Sequence, residues 1–155
     1  MSTLVLLRHA KADRPAGTAD FQRPLTERGH RDAAAAGGWL VGHGYAPDLV
    51  LCSPATRARQ TWHGVATALP TGPEVHYDDR LYGADDDELL DILREVTTEG
   101  VVAVIAHNPT LEDVSITLDR RARRLRTAGI AVHDVTAWTE LHAAPLLATH
   151  TARGE

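Results

Sequence analysis

The chain has 155 residues, of which 43% are hydrophobic and 24% are charged. These values are typical of a globular protein with its own core, and they predict a single domain over residues 1–155. The formal net charge of −5 argues against a general nucleic-acid binder. The single cysteine excludes a disulfide within the chain and favours a cytoplasmic location. No apolar run approaches the roughly 18 residues of a membrane span, so we expect no membrane contact.

Apolar runs alternate along the chain with segments of helical periodicity. Strands are predicted at Thr3–Leu7, Leu49–Cys52, Val75–Tyr77 and Val101–Ala106. Helices are predicted at Thr26–Gly42, Pro54–Leu69, Asp87–Val96 and Thr110–Leu118. Alternation over Ile130–Trp138 indicates an antiparallel pair at the sheet edge, and Thr149–Glu155 is predicted to be a frayed end. This order predicts an α/β fold, a three-layer α/β/α sandwich whose sheet is mostly parallel with an antiparallel edge strand.

Cationic side chains follow three of the predicted strands. Arg8 and His9 follow the first strand, Arg57 lies four residues beyond the serine that ends the second, and His107 with Asn108 ends the third. Each of these alone is more often a structural or solvated residue. Ligands of open α/β sheets bind at the carboxyl ends of the strands, so parallel neighbouring strands would bring all of them into one crevice. Two guanidiniums beside two imidazoles suit a phosphoryl group, which predicts phosphoryl chemistry on a histidine.

Two charged clusters admit a structural and a functional interpretation. Asp85–Glu88 could bind a divalent metal, but the spacing of Asp85 and Glu88 favours a capping box at the start of a helix. Arg120–Arg126 holds five arginines in seven residues and could recruit nucleic acid or an acidic protein. A solvated loop or helix face is the favoured interpretation of this second cluster.

The segments around these strand ends resemble the histidine phosphatase (phosphoglycerate-mutase-like) superfamily and, within it, the SixA-like phosphohistidine phosphatases. The matching segments are Arg8–Lys11, Phe21–Gly29, Pro47–Thr61, Leu81–Ala84, His107–Pro109 and Thr127–Val132. They spread from residue 3 to about residue 142, which is nearly the whole chain. The resemblance implies a phosphoglycerate-mutase-like fold and a phosphatase that needs no metal or other cofactor.

The resemblance also implies a role for each site residue. His9 would attack phosphorus and become phosphohistidine, and water would then release phosphate. The phosphoryl oxygens would be bound by Arg8, Arg57, His107 and Asn108. Positively charged and polar groups placed around these oxygens supply most of the catalysis in phosphoryl transfer. The superfamily's general acid is a glutamate, and the matching position here is Asp79, whose side chain is one methylene shorter.

The sequence leaves three interpretations of the substrate open. The first is a phosphorylated protein carrying phosphohistidine, and the second is a small phosphate ester. The third is a phosphate-binding module that turns over poorly, which Asp79 and the short stretch between His107 and Thr127 favour. The intact set of two arginines and two histidines favours catalysis.

Overall fold

In the computed structural model, which describes residues 1–151, six strands and four helices alternate along the chain. The strands are β1 (Ser2–Arg8), β2 (Leu49–Cys52), β3 (Glu74–Tyr77), β4 (Gly100–Ala106), β5 (Gly129–Val135) and β6 (Leu146–Thr151). The helices are α1 (Glu27–Gly42), α2 (Thr56–Ala66), α3 (Asp86–Arg94) and α4 (Thr110–Leu118). Short 3-10 turns lie at Asp20–Gln22, Asp79–Tyr82 and Trp138–Glu140.

All six strands belong to one sheet in the order β3-β2-β4-β1-β5-β6. Strands β1 to β4 run parallel, β5 is antiparallel to β1, and β6 is antiparallel to β5. Strand β4 therefore lies between β2 and β1. The three strands that precede the cationic residues are parallel neighbours, as the sequence predicts.

The two faces of the sheet are covered by different helices, because successive strand residues point to opposite sides. On β1, Leu4 and Leu6 pack in one core cluster with residues of α3 and α4. Val5 and Leu7 pack in a second cluster with residues of α1 and α2. All four side chains are fully buried. This arrangement confirms the three-layer α/β/α sandwich.

The predicted antiparallel pair at the sheet edge is confirmed, and β5 and β6 form it. Strand β5 is not itself the edge strand, because β6 pairs with it on the outside. Residues 149–151, predicted to be frayed, belong to β6, whereas residues 152–155 lie outside the described part of the chain. Strand β6 was missed because its apolar residues, Leu146, Leu147 and Ala148, are consecutive and do not alternate with polar ones.

The helix starts follow the capping chemistry of the sequence. Thr26 caps α1 by accepting a hydrogen bond from the Gly29 amide. Asp85 and Glu88 form the predicted capping box of α3. Within residues 1–151, no helix has the length and apolar character of a membrane span.

Helices α1 and α2 approach closely through glycine. A Cβ atom added to Gly37 of α1 would lie 2.5 Å from the carbonyl oxygen and 2.8 Å from the Cα atom of Val65 in α2. A Cβ atom added to Gly64 of α2 would lie 2.6 Å from Cβ of Ala33 in α1. This contact sets the position of α2, the helix that carries Arg57.

We expect Gly37→Ala to lower the free energy of unfolding by about 1–3 kcal/mol, because the added methyl group forces α1 away from α2. The matched control is Gly38→Ala, the next residue, whose Cβ would meet no atom within 4 Å. There the loss of backbone freedom in the unfolded chain should raise stability by roughly 0.5–1 kcal/mol. Urea denaturation measures both, and equal shifts of the same sign would contradict the close approach.

Candidate active site

The carboxyl ends of β1, β2 and β4 open into one cavity of about 580 Å³. The cavity is lined by five of the predicted site residues, namely Arg8, His9, Arg57, His107 and Asn108. The guanidiniums and imidazoles that follow three different strands therefore line the same cavity. Asp79 is the predicted site residue that the cavity does not include.

His9 is buried at the end of β1 and is neutral. Its Nδ1 atom lies 2.8 Å from the carbonyl oxygen of Ala10. A carbonyl only accepts, so Nδ1 carries the proton and Nε2 keeps its lone pair. Burial, and then the neighbouring His107, Arg57 and Arg8, lower the pKa of His9 to about 3 against the opposing effect of the hydrogen bond to Ala10. The imidazole is therefore uncharged at neutral pH, with a lone pair on Nε2.

A threonine of α2 joins the exit of β1 to the helix that carries Arg57. The Thr61 hydroxyl accepts a hydrogen bond of 2.9 Å from the Ala10 amide. The same hydroxyl donates to the carbonyl oxygen of Arg57 at 2.7 Å. Thr61 is fully buried, so this link is fixed by the core. It holds the backbone of Arg57 in a constant position relative to His9.

Arg57 is oriented by Asp20, the first residue of the 3-10 turn between β1 and α1. The guanidinium donates to the Asp20 carbonyl oxygen at 2.7 Å and to Oδ2 at 3.1 Å. The Asp20 carboxylate also accepts from the Tyr82 hydroxyl at 2.7 Å and from Arg23 at 3.1 Å. These hydrogen bonds, with that of Tyr82 the strongest, hold the pKa of Asp20 well below its usual range. Asp20 is thus an ionised anchor within the pocket.

His107 lies across the pocket from His9. Their ring centroids are 5.3 Å apart, and the edge-on ring of Tyr82 is 5.8 Å from His107. Nε2 of His107 is hydrogen-bonded to Oγ of the buried Ser53 at 2.8 Å. Burial, and then the charge of Arg57, lower the pKa of His107 to about 4. Both imidazoles are therefore neutral between the two guanidiniums.

Arg8 and Asn108 share one backbone acceptor in the arginine-rich segment. Arg8 donates to the Leu125 carbonyl oxygen at 3.2 Å, and Nδ2 of Asn108 donates to the same atom at 2.8 Å. The Leu125 amide donates in turn to the Glu112 carboxylate at 2.7 Å. Asn108 thus has a positioning contact, and its binding of phosphate remains a prediction. Burial lowers the pKa of Arg8, but a guanidinium stays charged.

Three nitrogen atoms of the pocket residues are buried without a hydrogen-bond partner in the described chain. They are Nε of Arg8, Nε of Arg57 and Nδ1 of His107. Leaving a buried polar group unpaired costs about 1–3 kcal/mol, so the folded chain carries this cost beside the pocket. The side chains of Arg8, Arg57 and His107 come from three different elements and line one cavity, an arrangement that suits an anion with several oxygen atoms.

Asp79 lies outside this arrangement. It is exposed at the start of a 3-10 turn, and the residue of that turn that contacts His107 is Tyr82. The carboxylates that line the cavity are Asp13 and Asp20. The role of Asp79 as an acid therefore remains a prediction. Within residues 1–151, no cluster of three or more His, Cys, Asp or Glu side chains is arranged to hold a metal.

Three features were not assigned from the sequence: the Asp20 anchor, the Ser53 partner and the Leu125 carbonyl. Ser53 directly follows a predicted strand, and this position could have indicated that it lies in the site. Asp20 lies among other charged residues of a loop without periodicity. Leu125 makes its contact through its backbone carbonyl, which every residue type has, so the sequence does not indicate it.

Comparison with known proteins shows the class to which the sandwich and its pocket belong, namely phosphatases, which hydrolyse phosphoryl groups. The sequence profile described as the histidine phosphatase superfamily (branch 1) matches residues 4–86, and the chain belongs to this superfamily. A relative is the uncharacterized protein Rv1276c of Mycobacterium tuberculosis. It is 36% identical over 162 residues, covering 95% of this chain and 100% of the relative.

Solved structures place the chain among SixA-like proteins. A protein of Nakamurella multipartitia, provisionally assigned as the phosphohistidine phosphatase SixA, is 36% identical with a TM-score of 0.83, over 96% of this chain and 95% of that chain. The tungstate complex of the protein histidine phosphatase SixA superposes with a TM-score of 0.85 over 97% of both chains. At 24% identity, this second similarity shows the fold alone.

We expect the free energy of unfolding to fall as the pH is lowered from 7 to 5. Burial depresses the pKa values of His9, His107 and His133 in the folded protein. The unfolded chain takes up protons near pH 6.5 while the folded state does not, so stability is full above that pH and is lost below it. Urea denaturation across this range measures the slope. A flat or opposite slope would contradict neutral imidazoles in the folded state.

Proposed function

We propose that the protein hydrolyses phosphohistidine on proteins through a covalent phosphoryl group on Nε2 of His9. The observation that carries this proposal is the neutral, buried His9 within a pocket that Arg8, Arg57 and His107 also line, side chains that suit phosphoryl oxygens. The provisional assignment of the Nakamurella protein supports the same substrate class.

The reaction has two displacements at phosphorus. In the first, the lone pair of His9 Nε2 forms a P–N bond, the P–N bond of the substrate breaks, and the departing imidazole keeps that electron pair and takes a proton from solvent water. In the second, water attacks phosphorus and releases a proton to the solvent, the bond to Nε2 breaks, and the lone pair returns to His9 as phosphate leaves. Arg8, Arg57 and His107 would stabilise the oxygens in both steps.

The leaving group supports a P–N substrate. Asp20, a carboxylate of the pocket, is held ionised by Tyr82 and Arg23 and is a poor proton donor at neutral pH. An alkyl phosphate expels a strongly basic alkoxide, which needs an acid, whereas imidazole is a weaker base and leaves more easily. A small phosphate ester is the alternative substrate, and the two are separated by the relative rates on P–N and P–O bonds.

We expect His9→Ala to abolish turnover and Arg57→Ala to reduce kcat by about 10²-fold or more, the loss typical of removing one preorganised donor. Both should occur without loss of the folded state, which circular dichroism checks.

Wild-type turnover should persist in a chelator, because guanidiniums supply the positive charge in the proposed reaction. Acid-labile phosphoryl label should be trapped on His9. Wild-type turnover in His9→Ala would refute the proposal.

We expect wild-type protein to hydrolyse phosphoramidate and a phosphohistidine peptide with a higher kcat/KM than an alkyl phosphate. The Asp79→Asn variant tests the sequence-based acid. If Asp79 protonates the leaving group, the variant should lose more kcat/KM on the alkyl phosphate than on phosphoramidate. Asp79 is exposed and lies outside the cavity, so we expect instead that kcat/KM changes by less than about threefold on either substrate. A wild-type preference for the alkyl phosphate would favour the small-molecule phosphatase instead.

A further inference from the structure

A second cavity of about 670 Å³ adjoins the phosphoryl pocket. The two cavities share the lining residues Arg8, Lys11, Asn108 and Thr127. The second one is a groove that continues to Arg124 and Arg126 of the arginine-rich segment. A substrate bound at His9 would therefore have a continuous path onto these two arginines.

The arginines of the segment differ in where their side chains lie. Arg121 pairs with Asp119 at 2.7 Å, and Arg123 donates to backbone carbonyls of its own loop. These two side chains stabilise the loop. Arg124 and Arg126 are exposed and line the groove, whereas Arg120 is exposed but is not among the residues that line it. The segment thus contains both the test positions and a control of the same residue type.

The groove is held in place by the active site itself. Leu125, between the two groove arginines, is buried, and its carbonyl accepts from Arg8 and Asn108. Its amide donates to Glu112, the acidic residue in the groove lining, so that carboxylate is already engaged. The positions of Arg124 and Arg126 relative to the phosphoryl pocket are therefore set before a substrate binds, which lowers the entropic cost of binding.

The charge of the groove contrasts with that of the whole chain. Its lining has four cationic side chains against one carboxylate, in a chain whose net charge is −5. Clefts lined by one sign of charge concentrate ligands of the opposite sign. The first cavity already holds the donors that suit a phosphoryl group, so the groove would bind a second, separate anionic group of the same substrate.

We propose that Lys11, Arg124 and Arg126 form a subsite for acidic side chains that flank the phosphohistidine of a polypeptide substrate. This inference rests on the proposed function and adds its sequence preference. A polypeptide is favoured over a small ester because the groove adds about 670 Å³ to a pocket of about 580 Å³. One extended residue advances about 3.3 Å, so a side chain a few residues from the phosphohistidine would lie in the groove.

The experiment compares two phosphohistidine peptides that differ only in their flanks, glutamate in one and glutamine in the other. For the wild-type protein at low salt, kcat/KM should be roughly two- to thirtyfold higher on the acidic peptide, the range expected of two exposed ion pairs. The preference should shrink as salt rises toward 0.5 M, because salt screens exposed charges. In Arg124→Gln/Arg126→Gln, the ratio between the two peptides should fall close to one.

The matched control is Arg120→Gln, which removes a charge from the same segment outside the groove and should keep the ratio. Thermal unfolding of each variant checks the fold. An unchanged ratio in the double variant, or an equal loss in Arg120→Gln, would overturn the subsite. The subsite would also be overturned if a small phosphoramidate bearing a second carboxylate lost as much kcat/KM in Arg124→Gln/Arg126→Gln as the acidic peptide does. Turnover of phosphoramidate by the wild-type protein without an acidic preference refutes the subsite alone, whereas no turnover of any P–N substrate refutes the proposed function.

Discussion

The register between three parallel strands is the constraint on which the active site depends. Strand β4 lies between β1 and β2, with Arg8 opposite Ala106 and Cys52 opposite Ile105. Two backbone hydrogen bonds extend this pairing beyond the strands, from the His9 amide to Ala106 and from the Ser53 amide to Ile105. His9 and Ser53, the partner of His107, are thereby fixed by the sheet. A shift of one residue would turn these side chains to the opposite face.

Two loops complete the site in the same way, each by supplying a backbone carbonyl to one arginine. The Leu125 carbonyl accepts from Arg8 at 3.2 Å, and the Asp20 carbonyl accepts from Arg57 at 2.7 Å. Both guanidiniums are oriented at their outer nitrogens while Nε is left without a partner in the described chain. Because a guanidinium presents its donors in a rigid plane, fixing one side also fixes the direction of the others.

The sequence predicts the framework of the site because its signals are local. A buried strand followed by a cation can be recognised wherever it occurs, and neighbouring parallel strands require their ends to meet. What joins these ends is not local. Asp20 contacts Arg57 from 37 positions away, and Leu125 contacts Arg8 from 117 positions away. On the side of Leu125, the second contact uses only a backbone atom. Strand β6 escaped prediction for a different reason, since its apolar residues are consecutive rather than alternating and none of its six residues is fully buried.

The neutral imidazoles follow first from burial and then from the neighbouring positive charges. His9 and His107 lie 5.3 Å apart between two guanidiniums that keep their charge, so a proton on either ring would add a third positive charge to a buried site. Both effects favour the neutral form of each histidine. In the proposed reaction, the surroundings that attract a phosphoryl group therefore also keep the nucleophile neutral. The same arrangement makes the fold less stable at acidic pH, because the unfolded chain binds protons that the buried imidazoles do not.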